Sequence, residues 1–266
     1  MNKNIVFTDG AVTAGTSCGA AVLLETDKDF KDIKIIEQAV KINEESTNNE
    51  AELFGILKAL ELINCNRKGE DDVNIIFSDS EYAIFSLTKW IKDWIKTYTA
   101  TRNNSLITPK MMTKGGKEVK NCKLICTIIN TIAKNNIKVK FMHVRGHMNK
   151  NSADDIKTQA AYYAKLNNID YKLALSQSKL ICKYNDYIDN LAKTYLDKYI
   201  YGELSYQTMY AFEAGETQVE WAEIDETKQF YTQIDIETSG EFNDEIYGNE
   251  YILNKKTIEK YFLLVK

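Results

Sequence analysis

Apolar residues in the first part of the chain fall in short runs whose period changes once. Ile5–Thr8 is a brief apolar stretch ending at Asp9, and Gly19–Leu24 and Ile33–Ile42 are β-branched and partly alternating. Runs of this kind read as strands, and three in succession predict an antiparallel meander. Behind Thr47, a residue suited to capping a helix, the period lengthens. Leu53, Phe54, Ile56, Leu57, Leu60 and Ile63 recur there at helical spacing. Val73–Phe77 is a compact strand, and Ser80–Lys96 carries helical signals that break near Thr88. Residues 97–117 are polar and read as a loop; a helix over Lys117–Asn135 and a strand over Ile137–Val144 follow. The order β-β-β-α-β-α-α-β-α predicts an α/β fold, a mixed five-strand sheet flanked by helices.

Residues 148–184 favour helix, with pieces such as Ala160-Ala-Tyr-Tyr-Ala and Ser178-Lys-Leu-Ile-Cys, and a helix over Asp186–Tyr199 closes a first domain of residues 1–199. The texture then changes. Tyrosines, acids and an alternating stretch around Phe230–Ile236 make 201–266 a small, mostly β appendage.

Charge divides at the same place. From residue 201 onward there are fourteen Asp and Glu against five Lys, about −9, which leaves +5 on residues 1–200 from a total of −4. The first part can meet a phosphate backbone; the acidic extension cannot, and could dock a basic protein partner. No apolar run approaches the roughly 20 residues needed to span a bilayer, and the N-terminus enters a strand-like run without a signal-peptide pattern. The five cysteines are scattered. Cys122 and Cys126 have no further Cys or His nearby to complete a zinc site, so all five read as reduced thiols. A soluble, cytoplasmic protein with no membrane partner is expected.

The candidate chemistry lies in acids with recognisable surroundings. Asp9 stands in Val-Phe-Thr-Asp-Gly, Glu52 in Thr-Asn-Asn-Glu-Ala-Glu-Leu and Asp79 in Ile-Phe-Ser-Asp-Ser; Val144-Arg-Gly-His147 and Asn185-x-x-x-Asp189-x-Leu-Ala follow. Asp9 and Asp79 end strand-like runs, and strands that are neighbours would bring them together. Glu52 sits one turn into its helix and Asp189 on the last one. Hydrolysing a phosphodiester requires an activated water, stabilisation of added negative charge and help for the leaving oxygen. Two Mg²⁺ ions about 4 Å apart meet all three needs when held by hard oxygen ligands. His147, on a loop after a strand, could shuttle a proton or aid product release.

These segments, in this order, resemble the successive motifs of type 1 ribonuclease H over roughly residues 1–199. The resemblance implies cleavage of the RNA strand of RNA–DNA hybrids, independent of sequence, leaving 5′-phosphate and 3′-hydroxyl ends. It also implies Asp9, Glu52, Asp79 and Asp189 as the ligands of two Mg²⁺ ions, with Mn²⁺ able to substitute. Glu50 is a tempting neighbour, but Thr-Asn-Asn-x-x-Glu-Leu aligns the acid at 52. Trp90-Ile-Lys-Asp-Trp94, with Lys92, Lys96, Arg102, Lys110, Lys114, Lys117 and Lys120, looks like the family's basic handle, which would grip the DNA strand with Trp90 against its sugars. Thr47 and Asn121 match positions that hold a DNA phosphate, and Asn48, Asn49 and Ser80 positions that read the minor groove and ribose hydroxyls. Each has a plainer role beside it: Thr47 as a helix cap, the lysines as a solvated face, Trp94 as core, His143 as a structural histidine.

One departure stands out. The histidine and the last acid lie close together in the family, whereas His147 and Asp189 are 42 residues apart. Asp155, in Asn151-Ser-Ala-Asp-Asp155, is an alternative at nearly the usual distance. Asn-x-x-x-Asp-x-Leu-Ala favours Asp189, because the positions after Asp155 that should face a core are Lys157 and Thr158. On that alignment 148–184 is a helical insertion beside the site. The rival readings are a nuclease of the same fold acting on structured DNA, and a non-catalytic hybrid-binding scaffold. Gathered carboxylates argue against the scaffold, since binding alone needs no mutually repelling acids.

Overall fold

Alternate residues of the central strands enter two different cores, one on each face of the sheet. In the computed structural model, Val6, Ala21, Leu23, Ile76, Val139 and Phe141 pack on one side; Ile5, Phe7, Val22, Leu24, Phe77 and Met142 pack on the other. This two-residue period is what a pleated strand imposes. Apolar residues at successive positions therefore require helices on both faces, as the near-continuous runs of the sequence imply. The structure describes residues 3–13, 16–26, 33–42, 46–66, 73–103, 106–149, 151–167, 170–200 and 251–253.

Strands β1 (Lys3–Thr13), β2 (Thr16–Thr26) and β3 (Ile33–Ile42) form the predicted antiparallel meander. Helix α1 (Asn48–Asn66) follows, its first turn held where the Thr47 hydroxyl accepts a hydrogen bond from the Glu50 amide at 3.3 Å. Strand β4 (Val73–Ser78) lies parallel to β1. Helices α2 (Glu81–Thr88) and α3 (Ile91–Trp94), with a 3₁₀ turn at Ile95–Thr97, reproduce the expected break near Thr88. Helix α4 (Cys122–Lys134) starts later than expected, behind Asn121 at φ 57°, and β7 (Val139–His143) lies parallel to β4.

Three expectations change. The presumed loop at 97–117 contains a hairpin, β5 (Thr99–Asn103) with β6 (Leu106–Lys110), extended by a bridge between Met112 and Glu118. Its threonines suit a strand as well as a loop, and a two-stranded sheet separate from the main one needs no long apolar run. The second change concerns β1, which does not end at Asp9 but continues to Thr13; what ends near Asp9 is its pairing with β4, at Phe7 and Phe77. Thirdly, the closing helix begins well before Asp186. Helix α5 (Ala153–Asn167) leads into α6 (Tyr171–Ile200), one 30-residue helix that joins the second half of the presumed insertion to the Asp189 segment. Tyr184, Ile188, Ala192, Tyr195 and Leu196 recur at three- and four-residue intervals and bury one stripe of it.

The five expected strands are joined by a sixth. Tyr251–Leu253 (β8) pairs antiparallel with β7, giving the order β3-β2-β1-β4-β7-β8. The rest of the proposed β appendage, the alternating stretch near Phe230–Ile236 included, lies outside the described residues. Helices α1 and α4 cover one face of the sheet, while α5 and α6 meet the core on the other. Among the described residues no helix is long and apolar enough to cross a membrane.

Candidate functional site

Asp9 and Asp79 each stand two residues beyond the last parallel pair of β1 and β4, Phe7 and Phe77, whose rings stack with centroids 4.8 Å apart. Parallel register thus delivers both acids to the same end of the sheet. Glu52 arrives from α1. A Cβ on Gly55 would lie 2.9 Å from the Asp9 carbonyl oxygen, and one on Gly19 2.6 Å from the Ala51 carbonyl oxygen, so glycine lets the helix lie against the strands. One carboxylate oxygen from each of Asp9, Glu52 and Asp79 lies within 4.8 Å of the others.

Burial makes this cluster costly when metal-free. Asp9 is 7% and Glu52 5% exposed. Burial, then the charges of Asp79 and Asp189, pushes Asp9 up to about 7 against the opposing Gly10 amide, which donates to its Oδ1 at 2.7 Å. Burial followed by the charges of Asp9 and Asp79 holds Glu52 well above the ordinary carboxylate range. Glu52 Oε2 is buried without a hydrogen-bond partner. A converging set of hard oxygen donors, one of them orphaned, fits a divalent cation, which would supply the positive charge these acids lack.

The cleft above the cluster encloses about 830 Å³ and is lined by Asp9, Glu52, Asp79, Asp189, His147 and Lys193, among others. Asp189 therefore faces the three clustered acids from α6, although it stands outside the 4.8 Å group. It is held by Lys193, one turn on, at 2.7 Å. One turn earlier, Asn185 Nδ2 donates to Asp79 Oδ2 at 3.4 Å. Asp155 is occupied differently. Its carboxylate accepts from the Asn149 amide at 2.9 Å, its own amide donates to Ser152 Oγ at 3.2 Å, and it is absent from the cleft lining. That is a capping arrangement at the start of α5.

His147 is exposed at φ 56° on the loop after β7 and reaches the cleft. The residue before it must be small, because a Cβ on Gly146 would run into the Asp79 carboxylate. His143 is buried, and burial lowers its basicity; its Nε2 lies 3.2 Å from the Asp79 carbonyl oxygen.

The residues named for nucleic-acid contact divide. Asn48 and Ser80 line the cleft, with Ser80 also capping α2 by accepting from the Ala83 amide at 3.2 Å. Thr47 and Asn49 are exposed at the same start of α1. Trp90 is half-buried among Tyr82, Phe85 and Trp94, and Trp94 is core. Asn121 donates to the Tyr82 hydroxyl at 3.2 Å. Of the handle's cations, Lys96 and Lys114 both reach Asp93, at 3.3 and 2.8 Å, and Lys110 reaches Glu118 at 3.0 Å. Lys92 is half-buried, Lys117 and Lys120 are exposed, and the Arg102 side chain lies outside the described residues. Sequence reasoning missed Lys193 and gave Asn185 no role. The spacing of both, one turn either side of Asp189, was a usable signal.

Comparison with known proteins points to one family. A family model described as RNase H matches residues 1–162, a span that includes Asp155 and stops short of Asp189. The ribonuclease H of Ruthia magnifica subsp. Calyptogena magnifica is 35% identical over 95 residues, covering 35% of this chain and 58% of that protein. That of Orientia tsutsugamushi (strain Boryong) is 30% identical over 102 residues, 38% of this chain and 55% of the relative. The chain thus spans little more than half the length of these two relatives. The ribonuclease H of Rickettsia canadensis (strain McKiel) is 28% identical over 60% of this chain and 92% of its own length. A solved structure, LC9-RNase H1, described as a type 1 RNase H with the type 2 active-site motif, covers 61% of this chain and 72% of its own at 18% identity and a TM-score of 0.42. With the family model spanning more than half of its residues, the chain belongs to the RNase H family.

Proposed function

We propose that this protein is an endoribonuclease that hydrolyses the RNA strand of RNA–DNA hybrids without regard to sequence, using two Mg²⁺ ions. The observation that carries this reading is the meeting of Asp9, Glu52 and Asp79 within 4.8 Å, with a buried, unpartnered Glu52 oxygen, in a cleft that Asp189 also lines. Asp9, Glu52, Asp79 and Asp189 would hold the ions. Bound there, the ions would supply an activated water and positive charge for the phosphate and the leaving oxygen. Mn²⁺, with the same preference for oxygen donors, would substitute.

The chain's own residues do the remaining work. Lys193 pairs with Asp189 at the cleft and would offer a positive charge to a substrate phosphate there. His147, exposed beside Asp79 and Asp189, can take up a proton at an imidazole nitrogen and return it to solvent. Asn48 and Ser80, which line the cleft, and exposed Asn49 would read the minor groove and the ribose 2′-hydroxyls. Trp90, Lys92 and Lys96, with Thr47 and Asn121, would grip the DNA strand, with half-buried Trp90 as the apolar platform. Residues 1–199 would then be the catalytic unit, and the acidic extension a place for a protein partner.

The test is cleavage of an end-labelled RNA–DNA hybrid in Mg²⁺, beside duplex and junction DNA, with Asp79→Asn in parallel. RNA-strand products from the wild type alone, confined to the hybrid, are expected. Cleavage of junction DNA in preference to hybrid, or hybrid binding with no cleavage, would overturn the proposal in favour of the structured-DNA nuclease or the scaffold.

A further inference from the structure

Asp79 lies just past the end of the β4–β7 ladder, whose last pair is Ser78 and His143. Its carbonyl therefore has no strand partner, and His143 Nε2 approaches it at 3.2 Å. A carbonyl can only accept, so in the neutral ring the proton sits on Nε2 and Nδ1 is left as an acceptor. The hydroxyl of Tyr162, on α5, is hydrogen-bonded to that Nδ1. We propose that Tyr162 is a positioning residue for Asp79: by donating to His143 Nδ1 it fixes the tautomer whose Nε2–H holds the Asp79 backbone.

Two more contacts from α5 reach the same segment. Gln159, three residues before Tyr162 and on the same helix face, accepts from the Arg145 amide at 3.1 Å. The Arg145 guanidinium stands 5.8 Å from the centre of the Tyr162 ring. The helix thus grips residues 143 and 145, and the next two are Gly146, packed against the Asp79 carboxylate, and His147 at the cleft. Partners bonded directly to a metal ligand are worth about 10- to 100-fold in metal binding or activity; Tyr162 acts one contact further out, through His143, so its effect falls at the lower end.

The inference rests on the reading of Asp79 as a metal ligand. Its test uses the full chain and Tyr162→Phe, which keeps the ring and removes only the hydroxyl. Histidine ¹⁵N spectra are simple, because His143 and His147 are the two histidines of the sequence. In the metal-free wild type, His143 should carry its proton on Nε2, with Nδ1 at the shift of a hydrogen-bonded acceptor. In the variant, Nδ1 should move to the value of an unbonded acceptor. The Mg²⁺ affinity, read by spectral titration, should fall about 10-fold and kcat with it, at unchanged KM for hybrid. A proton on Nδ1 in the wild type, or wild-type Mg²⁺ affinity in Tyr162→Phe, would overturn the inference. So would a loss of kcat that only tracks a smaller folded fraction. The spectra and titration need no substrate, so a chain inert toward hybrid would defeat the proposed function alone. A wild type that binds no Mg²⁺ would remove both.

Discussion

A Cβ placed on Gly10 would lie 2.6 Å from the backbone nitrogen of Glu52. The strand that carries one clustered acid thus touches the helix backbone that carries another, and the gap between Asp9 and Glu52 is set by the missing side chain. Because the obstruction is backbone, Gly10→Ala cannot be absorbed by a rotamer change. It should lower stability by about 1–3 kcal/mol, the usual cost of overpacking, and weaken divalent-metal binding as Glu52 is pushed away. Urea unfolding and a Mg²⁺ titration would show both; a variant with unchanged stability would mean that α1 shifts freely.

Gly146 gives a contrasting case. An added Cβ there meets the carboxylate of Asp79 rather than backbone. The side chain can rotate aside at little cost to the fold, but in doing so it leaves the cluster. Gly146→Ala should therefore leave Tm within a few degrees of wild type while sharply reducing cleavage. A large fall in Tm together with retained activity would contradict this account.

Asp9 links stability to the metal. Its carboxylate is buried, and the charges of Asp79 and Asp189 act on it unfavourably. Asp9→Asn removes one charge from the group at nearly constant shape, so the metal-free protein should become more stable and cleavage should be lost. Added Mg²⁺ should raise the wild-type Tm more than that of the variant, because a ligand that binds the native state stabilises it by mass action. Equal Mg²⁺ responses would remove Asp9 from the ligand set.

How far the sequence could be read depended on whether a feature leaves a local trace. The strands, the Thr47-capped helix and the break near Thr88 were legible because burial on two faces and helical spacing are written in runs of adjacent residues. Asp9, Glu52 and Asp79 were legible because each sits in a distinctive short context, and parallel register then brings two of them to one end of the sheet. The β5–β6 hairpin was missed because its threonine-rich strands look like a polar loop when no large core enforces alternation. The start of α6 was missed because its helical period runs unbroken across the presumed end of the insertion. The grip of Tyr162 on His143 joins residues 19 apart through side chains alone, and neither residue has a pattern that announces the other.

Lys58 provides a pH signature away from the site. Its side chain is 1% exposed on α1, with Glu61 at 2.9 Å, and burial pushes its ammonium down to about 8 from 10.5 despite that partner. Below pH 8 the lysine is charged in both the folded and unfolded states, so the cost of burying the charge is fully present. Between about 8 and 10.5 the unfolded chain binds more protons than the folded one, so this residue's contribution to stability rises with pH, by about 3 kcal/mol at most. Burial of Cys182 and Tyr195 raises their acidities' midpoints and acts oppositely at alkaline pH, so the comparison must be with Lys58→Met, which keeps those groups. Urea unfolding at pH 7 and pH 10 should show wild type gaining on Lys58→Met. A constant difference between the two would mean that the lysine stays charged throughout.

Asp189 and Asp155 are separated by what each already does. Asp189 lines the cleft with Asp9, Glu52 and Asp79, and its charge reaches Asp9. Asp155 lies in the capping arrangement of α5, bonded to the Asn149 amide. Asp189→Asn should abolish Mg²⁺-dependent cleavage while leaving the fold intact, since the Lys193 pair it breaks is partly exposed and such pairs contribute little. Asp155→Ala should do the reverse, costing about 1 kcal/mol of stability as the Asn149 amide loses its acceptor and leaving kcat near wild type. Cleavage assays and denaturation of the two variants decide between the acids. If Asp155→Ala is inactive and Asp189→Asn active, the last ligand lies within the span that the family model matches, and the cleft must rearrange around α5 to accept substrate.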